Sequence, residues 1–205
     1  FKNISINEKK IIALLHFGRS GAGLLHSLID NHSEISTLPS IYFSQFFDNI
    51  VWKKIINNGW HRIIDNFISI YPVLFDARSS LPIASKSGFI KNLGIEEGMT
   101  TLGKNKDEYL YVDKIIFKKE LSYLISQYEF LDQITFFKLM HIAYEKSINN
   151  YQNKNLLFYH IHNPNDYSQI NFISSEKNAC WLMMVRDPLQ SCESWINNIY
   201  IKNNY

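Results

Sequence analysis

Glycine, proline and cysteine are scarce in this chain, and charge is nearly balanced. The 205 residues include eight glycines, five prolines and two cysteines, which excludes a collagen-like repeat, a disulfide scaffold and a proline-rich disordered chain. A formal net charge of +2 is too small to indicate binding to nucleic acid or to an anionic membrane. The longest apolar runs, such as 179–185, fall far short of the roughly 20 residues that a membrane span needs.

Apolar residues, in contrast, are abundant. Hydrophobic residues make up 46% of the chain and aromatic residues 15%, which predicts one globular domain over residues 1–205 with a sizeable core. The aromatic-rich segments around Phe46 and Phe136 are expected in that core. We interpret Cys180 and Cys192 as reduced thiols. No signal peptide is visible and the first residue is Phe1, so we expect a cytoplasmic protein and a piece of a longer chain.

The hydrophobic pattern predicts strands alternating with helices. Apolar runs at 11–17, 156–162 and 179–185 are typical of buried strands, and 35–38 of a short one. Helical spacing covers 24–29, 42–70 with an interruption at Gly59, 112–128, 131–149 and 189–200. The segment 72–107 lacks periodicity, and we expect loops and a substrate-facing surface there. The resulting fold class is α/β, with a central, mainly parallel sheet flanked by helices.

A glycine-rich turn between the first strand and its helix predicts an anion site. Its residues are Gly18, Arg19, Ser20, Gly21, Ala22 and Gly23. Backbone N–H groups in such a turn, together with the positive end of the helix dipole, suit a phosphate or sulfate. The turn lacks the Lys-Ser/Thr pair of nucleotide-triphosphate loops, so hydrolysis of ATP or GTP is poorly supported. The alternative is a tight connection with an exposed arginine.

A second strand–turn–helix unit lies near the end of the chain. Arg186 follows the third apolar run, Asp187 is placed to cap the next helix, and Pro188 suits its first position. Ser194 lies on that helix. An arginine and a serine on the neighbouring helix can grip a phosphate, whereas the alternative is a capped helix with a surface arginine. Two such sites at one sheet edge indicate a ligand with two separated anionic groups.

The two units together resemble the sulfotransferases that use 3′-phosphoadenosine-5′-phosphosulfate. Residues 12–35, IALLHFGRSGAGLLHSLIDNHSEI, look like the family's 5′-phosphosulfate loop, and 183–195, MMVRDPLQSCESW, like its 3′-phosphate motif. The resemblance implies a P-loop-like fold, phosphosulfate held by 18–23, and the 3′-phosphate held by Arg186 and Ser194. Many members have two hydroxyl residues where this chain has Ala22-Gly23. The family's last nucleotide-binding segment would lie beyond Tyr205, so we expect a truncated site.

Histidine is the natural base for sulfonate transfer near neutral pH. The segment YHIHNP resembles the family's K-T-H-x-P segment, which implies that His162 is the catalytic base and that His160 stands in place of a lysine that helps the sulfonate leave. Period-two alternation puts both rings on one face of a strand. A zinc site on this H-x-H pair would need a third ligand that the sequence does not indicate. Among carboxylates, Glu34 is the nearest rival base, but its position is typical of a solvated surface.

The sequence therefore predicts a metal-independent sulfotransferase that transfers sulfonate from its nucleotide donor to a hydroxyl or amine of a small molecule, glycan or peptide. His162, His160 and Arg19 are its predicted catalytic residues. Two alternatives stay open: a nucleotide-dependent kinase with a divergent loop, and a non-catalytic relative that binds the nucleotide alone. Magnesium-dependent ATP turnover would favour the first. Nucleotide binding that ignores His162, with no transfer to any acceptor, would favour the second.

Overall fold

A parallel β-sheet forms the centre of the computed structural model, which describes residues 6–39, 41–79, 93–96, 98–162 and 167–197. The four strands of this part are β1 (Lys10–His16), β2 (Ile35–Ser36), β3 (Leu156–His162) and β4 (Cys180–Met184). Their order is β2-β3-β1-β4, and every adjacent pair is parallel. This confirms the α/β prediction. The apolar runs located β1 and β4 to within one residue at each end and β3 without error, whereas β2 is shorter than its predicted span 35–38. The expectation that the run 179–185 is buried is wrong, because β4 lies at the edge of the sheet and most of its residues are exposed.

Helices follow or precede each strand. In the described residues they are α1 (Ala22–Ile29), α2 (Asn49–Ile55), α3 (Ile63–Ile70), α4 (Leu93–Glu96), α5 (Lys114–Ile125), α6 (Gln133–Ser147), α7 (Tyr167–Ser175) and α8 (Pro188–Trp195). Short 3₁₀ turns cover Ile6–Glu8, Ile41–Phe47, Trp60–Arg62 and Pro72–Leu74. The predicted break at Gly59 is confirmed, because its φ of 88° lies in a region that glycine adopts at no steric cost.

The two faces of the sheet bury different partners. On one face, Leu14 of β1 and Phe158 of β3 pack against Ala22 of α1. On the other, Ala13 and Tyr159 belong to the main core. Alternate residues of a strand point to opposite faces, so His16, His160 and His162 share the face that α1 covers. The helix that follows β1 therefore lies over the histidine side of the sheet.

The main core is aromatic, as its composition predicts. The rings of Phe46, Phe67 and Phe136 are fully buried and contact one another edge-to-face or stacked, with centroids 5.6–6.5 Å apart. Such ring pairs add roughly 0.5–1.5 kcal/mol each beyond the burial of their area. These residues belong to the same core cluster as Ala13 and Tyr159, so they stabilise the helical layer on the face of the sheet opposite α1.

The segment 72–107 is only partly described. Its central residues 80–92, and with them most of the predicted substrate-facing surface, lie outside the described residues. The remainder contains a 3₁₀ turn, the short helix α4 and isolated antiparallel bridges that join Asp76 to Tyr111 and Leu102 to Glu108. Across the described part of the chain, no helix combines the length and the apolar character that crossing a membrane requires.

Candidate active site at the carboxyl edge of the sheet

A tight turn joins the end of β1 to α1. The Ser20 N–H donates to the Phe17 carbonyl at 3.3 Å, which closes the turn. Arg19 and Gly21 take left-handed backbone angles, with φ of 64° and 95°. Glycine at position 21 adopts this conformation without penalty, whereas an arginine at position 19 costs roughly 1 kcal/mol. The sequence thus accepts local strain to place a guanidinium in the loop.

The loop presents hydrogen-bond donors that its own residues do not satisfy. The first N–H groups of a helix have no intrahelical acceptor, and Gly21 caps α1 without a side-chain hydrogen bond. The Ser20 hydroxyl is buried and has no hydrogen-bond partner. A buried hydroxyl without a partner costs free energy unless a ligand or water bonds it. Unsatisfied donors at a helix N-terminus are the features that an anion requires.

The second strand–turn–helix unit forms as its sequence predicts. The Asp187 carboxylate accepts from the N–H groups of Leu189 and Gln190 at 2.9 and 3.1 Å, and Pro188 is the first residue of α8. Because Asp187 fixes where α8 begins, the helix projects from the end of β4 at the same sheet edge as α1. Since β1 and β4 are hydrogen-bonded neighbours, the two turns lie side by side.

Three predicted anion-binding residues meet between these turns. The Arg19 guanidinium donates through Nε to the Ser194 hydroxyl at 3.1 Å. Arg186 donates through Nη1 to the Arg19 carbonyl at 3.3 Å and through Nε to the Gln190 side-chain oxygen at 3.5 Å. Both arginines are exposed, so their remaining donors face solvent. The structure therefore brings residues from distant parts of the sequence into one positively charged patch.

His162 lies beside the loop. It pairs in register with His16 across β1 and β3, and the two ring centroids are 5.0 Å apart. A Cβ placed on Gly18 would lie 3.8 Å from His162 Nε2 and 3.3 Å from Trp195 Cζ2. Partial burial lowers the pKa of His162 below its usual value, which keeps the imidazole neutral at pH 7. A neutral ring next to the loop can accept a proton.

His160 occupies a different environment. It is 4% exposed, and both of its ring nitrogens are engaged: Nε2 with His26 Nδ1 at 2.7 Å and Nδ1 with His16 Nε2 at 3.3 Å. Burial, followed by the repulsion of the neighbouring histidines, lowers its pKa to about 2. The ring is therefore neutral and cannot supply the positive charge of a lysine. Among the predicted site residues, Arg19 and Arg186 carry the positive charge at this edge.

Sequence reasoning missed His16 and His26 as members of this group. Two signals were available. His16 is the last residue of β1 and lies two residues after Leu14, so both point to the face of the sheet that α1 covers. His26 lies four residues after Ala22, one helical turn, which places it on the sheet-facing side of α1. What the sequence could not supply is the register that sets His160 between them.

The histidines do not converge on one point. The two nitrogens of an imidazole lie on different sides of the ring, and those of His160 face His26 and His16 respectively. Within the described ranges, no group of three or more His, Cys, Asp or Glu side chains is arranged to hold a metal ion. The arrangement is a row of hydrogen-bonded rings.

A cavity of about 450 Å³ lies elsewhere, at the opposite edge of the sheet. Its lining includes Ser36 of β2, His141 and Glu145 of α6, and Lys154, which precedes β3. The Ser36 hydroxyl bonds His141 Nδ1 at 2.9 Å, and Lys154 pairs with Glu145 at 2.9 Å in a buried position. His141 Nε2, in contrast, is buried without a hydrogen-bond partner. This cavity contains none of the loop residues 18–23, so it is separate from the candidate anion site.

Comparison with known proteins identifies no relative of this chain. No protein-family model matches the chain, and searches of curated proteins and of solved structures found no match either. The chemical interpretation of this edge therefore rests on its own geometry and on the two motifs.

Proposed function

We propose that this chain is a sulfotransferase domain of the P-loop-like fold that uses 3′-phosphoadenosine-5′-phosphosulfate. The observation that carries the proposal is the contact between the two motifs: Arg19 of the loop reaches Ser194, and Arg186 reaches the loop backbone. A nucleotide with a phosphosulfate at one end and a 3′-phosphate at the other needs two anion sites at one sheet edge. The crevice between neighbouring parallel strands is where α/β sheets bind such ligands.

The proposed reaction assigns one role to each group. The acceptor oxygen attacks sulfur, the bond from sulfur to the phosphate oxygen breaks, and His162 takes the acceptor proton. The loop N–H groups, the Ser20 hydroxyl and Arg19 stabilise the negative charge that develops on the leaving phosphate. Residues 18–23 hold the phosphosulfate, while Arg186 and Ser194 hold the 3′-phosphate. No step requires a metal ion.

His160 has a modified role in this proposal. It stands where the resemblance implies a lysine, but a neutral ring engaged on both sides contributes no charge to the leaving group. The two arginines supply that charge. His160 is then a positioning residue, which holds the histidine row behind the loop.

Calorimetric titration with adenosine 3′,5′-bisphosphate tests the donor site. We expect Arg186→Ala to weaken binding by about tenfold to a hundredfold, because charge-assisted hydrogen bonds contribute about 1.5–3 kcal/mol. Arg62→Ala is the matched control, since Arg62 is exposed and pairs with Asp65 on the surface. Absence of binding, or binding that Arg186→Ala leaves unchanged, would overturn the proposal. Tight binding of ATP with magnesium would favour the kinase alternative.

A second variant separates an enzyme from a non-catalytic nucleotide binder. His162→Ala should retain bisphosphate binding, because the ring contributes no phosphate contact in this proposal, and should abolish transfer of labelled sulfonate to a panel of phenol, sugar and peptide acceptors. If wild type and His162→Ala both bind the bisphosphate and neither transfers sulfonate, the domain binds the nucleotide without catalysing transfer.

A further inference from the structure

The row formed by His26, His160 and His16, which we call the histidine row, links α1 to the end of β1. His26 Nδ1 lies 2.7 Å from His160 Nε2, and His160 Nδ1 lies 3.3 Å from His16 Nε2. A neutral imidazole has one N–H and one acceptor nitrogen, so His160 donates to one of these neighbours and accepts from the other. The backbone of Phe17 favours a charged His16, which fits the tautomers in which His26 donates to His160 and His160 donates to His16.

The two ends of the row meet different surroundings. His16 and His160 are 2% and 4% exposed, whereas His26 is half-buried, and no described residue bonds its Nε2. At the other end, Phe17 follows His16 directly, and its carbonyl accepts from the Ser20 N–H that closes the loop. One end is therefore accessible to solvent protons, and the other is attached to the candidate anion site.

We propose that the histidine row takes up one proton when an anion binds to the loop, and so places a positive charge on His16 directly behind the bound anion. The proton enters at His26 Nε2. The Nδ1 proton of His26 passes to His160 Nε2, and the Nδ1 proton of His160 passes to His16 Nε2. No other bond is made or broken. The inference rests on the anion site of the proposed function, and it adds a source of charge where the family resemblance implies a lysine.

A bound anion should change the pKa values of the histidine row. Without a ligand, burial is the largest cause that lowers the pKa of each ring, and the neighbouring rings add to it for His16 and His160. The other titratable groups acting on the row are Asp30 of α1, which favours a charged His26, and His162 of β3, which opposes a charge on His16. Arg19 and Arg186 also lie at this edge. A divalent anion in the loop would oppose the unfavourable causes, because an opposite charge within about 4–6 Å favours the protonated ring.

Sulfate is the probe, because it stays divalent over the whole range from pH 5.5 to 7.5. Calorimetry at pH 6 in buffers of different ionisation enthalpy counts the protons taken up per sulfate bound. We expect uptake of half a proton to one proton, and a rise in sulfate affinity of about threefold to tenfold from pH 7 to pH 6, tenfold being the limit for one proton.

Variants locate the proton. His160→Gln interrupts the row at its centre, and His26→Gln removes its entry point at a half-buried position where a folding defect is less expected; both should bind sulfate without proton uptake. His162→Gln and the exposed control His61→Gln should keep the uptake. If uptake disappears with His162→Gln and persists in His160→Gln, the charge resides on His162 and the inference is wrong. Sulfate binding without uptake in wild type refutes the inference alone, whereas no sulfate binding refutes the anion site as well.

Discussion

Acidification should destabilise this protein well before its carboxylates titrate. Three histidines are almost fully buried: His16, His141 and His160. Burial lowers their pKa values to about 4, about 3 and about 2, while an unfolded chain protonates histidine with a pKa near 6.5. The unfolded state therefore binds more protons than the native state below pH 6.5. The contribution of these rings to the free energy of unfolding is therefore fully present well above pH 6.5, and it is lost as the pH falls from 6.5 toward 4.

The magnitude follows from this difference in proton binding. Each of the three rings stays neutral in the native state at pH 5 but is almost fully charged in the unfolded chain, which lowers the unfolding free energy by about 2 kcal/mol between pH 7 and pH 5. The three together should remove about 5–6 kcal/mol. A loss of this size is comparable to the whole stability of many domains, roughly 5–15 kcal/mol.

Urea unfolding at pH 7, 6 and 5, followed by tryptophan fluorescence in buffers free of sulfate and phosphate, measures this loss. His141→Gln should reduce the pH dependence by the share of one ring, about 1.4 kcal/mol per pH unit at its steepest. His61→Gln, at an exposed position, should leave the dependence unchanged. A free energy of unfolding that falls by less than about 1 kcal/mol from pH 7 to 5, or that rises, would refute the assignment of neutral buried rings.

Two further predictions concern stability at pH 7, measured by the same urea titration. Glu145→Ala should lower the free energy of unfolding by about 3–5 kcal/mol, because it leaves the Lys154 ammonium buried without its partner. The control Glu120→Ala breaks the half-exposed pair with Lys146 and should lower it by at most about 1 kcal/mol. Equal losses in the two variants would contradict the role of burial. Gly23→Ala should raise the free energy of unfolding by about 0.5–1 kcal/mol, because glycine inside a helix carries an entropic cost and a Cβ there meets nothing within 4 Å; a decrease would indicate that the loop does not tolerate the side chain.

The three longer strands β1, β3 and β4 could be predicted from the sequence because each is a largely apolar run ended by glycine, asparagine or a charged residue. β3 has the bounds that its pattern indicates, and the caps of α8 follow from Asp187 and Pro188. The predicted helical stretch 42–70 is real in outline, but Ile41–Phe47 is a 3₁₀ turn. Helix α7 gave no signal, because its hydrophobic pattern is weak and the fully buried Phe172 is its main anchor in the core.

The contacts of the candidate site were less accessible to prediction. Sequence spacing indicated that Arg186 and Ser194 belong to one unit and Arg19 to another, but not that Arg19 and Ser194 are in contact, because that contact depends on β4 lying next to β1. The position of His160 between His16 and His26 likewise depends on the register of β1 with β3 and on the rotation of α1. Long-range register is set by packing of the whole sheet, which a local pattern does not encode.

Because Arg19 has a left-handed backbone, selection for stability and selection for anion binding should favour different residues at position 19. A library randomised there and sorted for thermal resistance should enrich glycine and asparagine, since both accept a φ of 64° at less cost than arginine. The same library sorted for retention on a sulfate-bearing resin should keep arginine. Variants with glycine or asparagine at position 19 should then resist heat better than the wild type but no longer bind the resin. The difference in their thermal stability would measure how much stability the chain loses by holding a guanidinium over the loop.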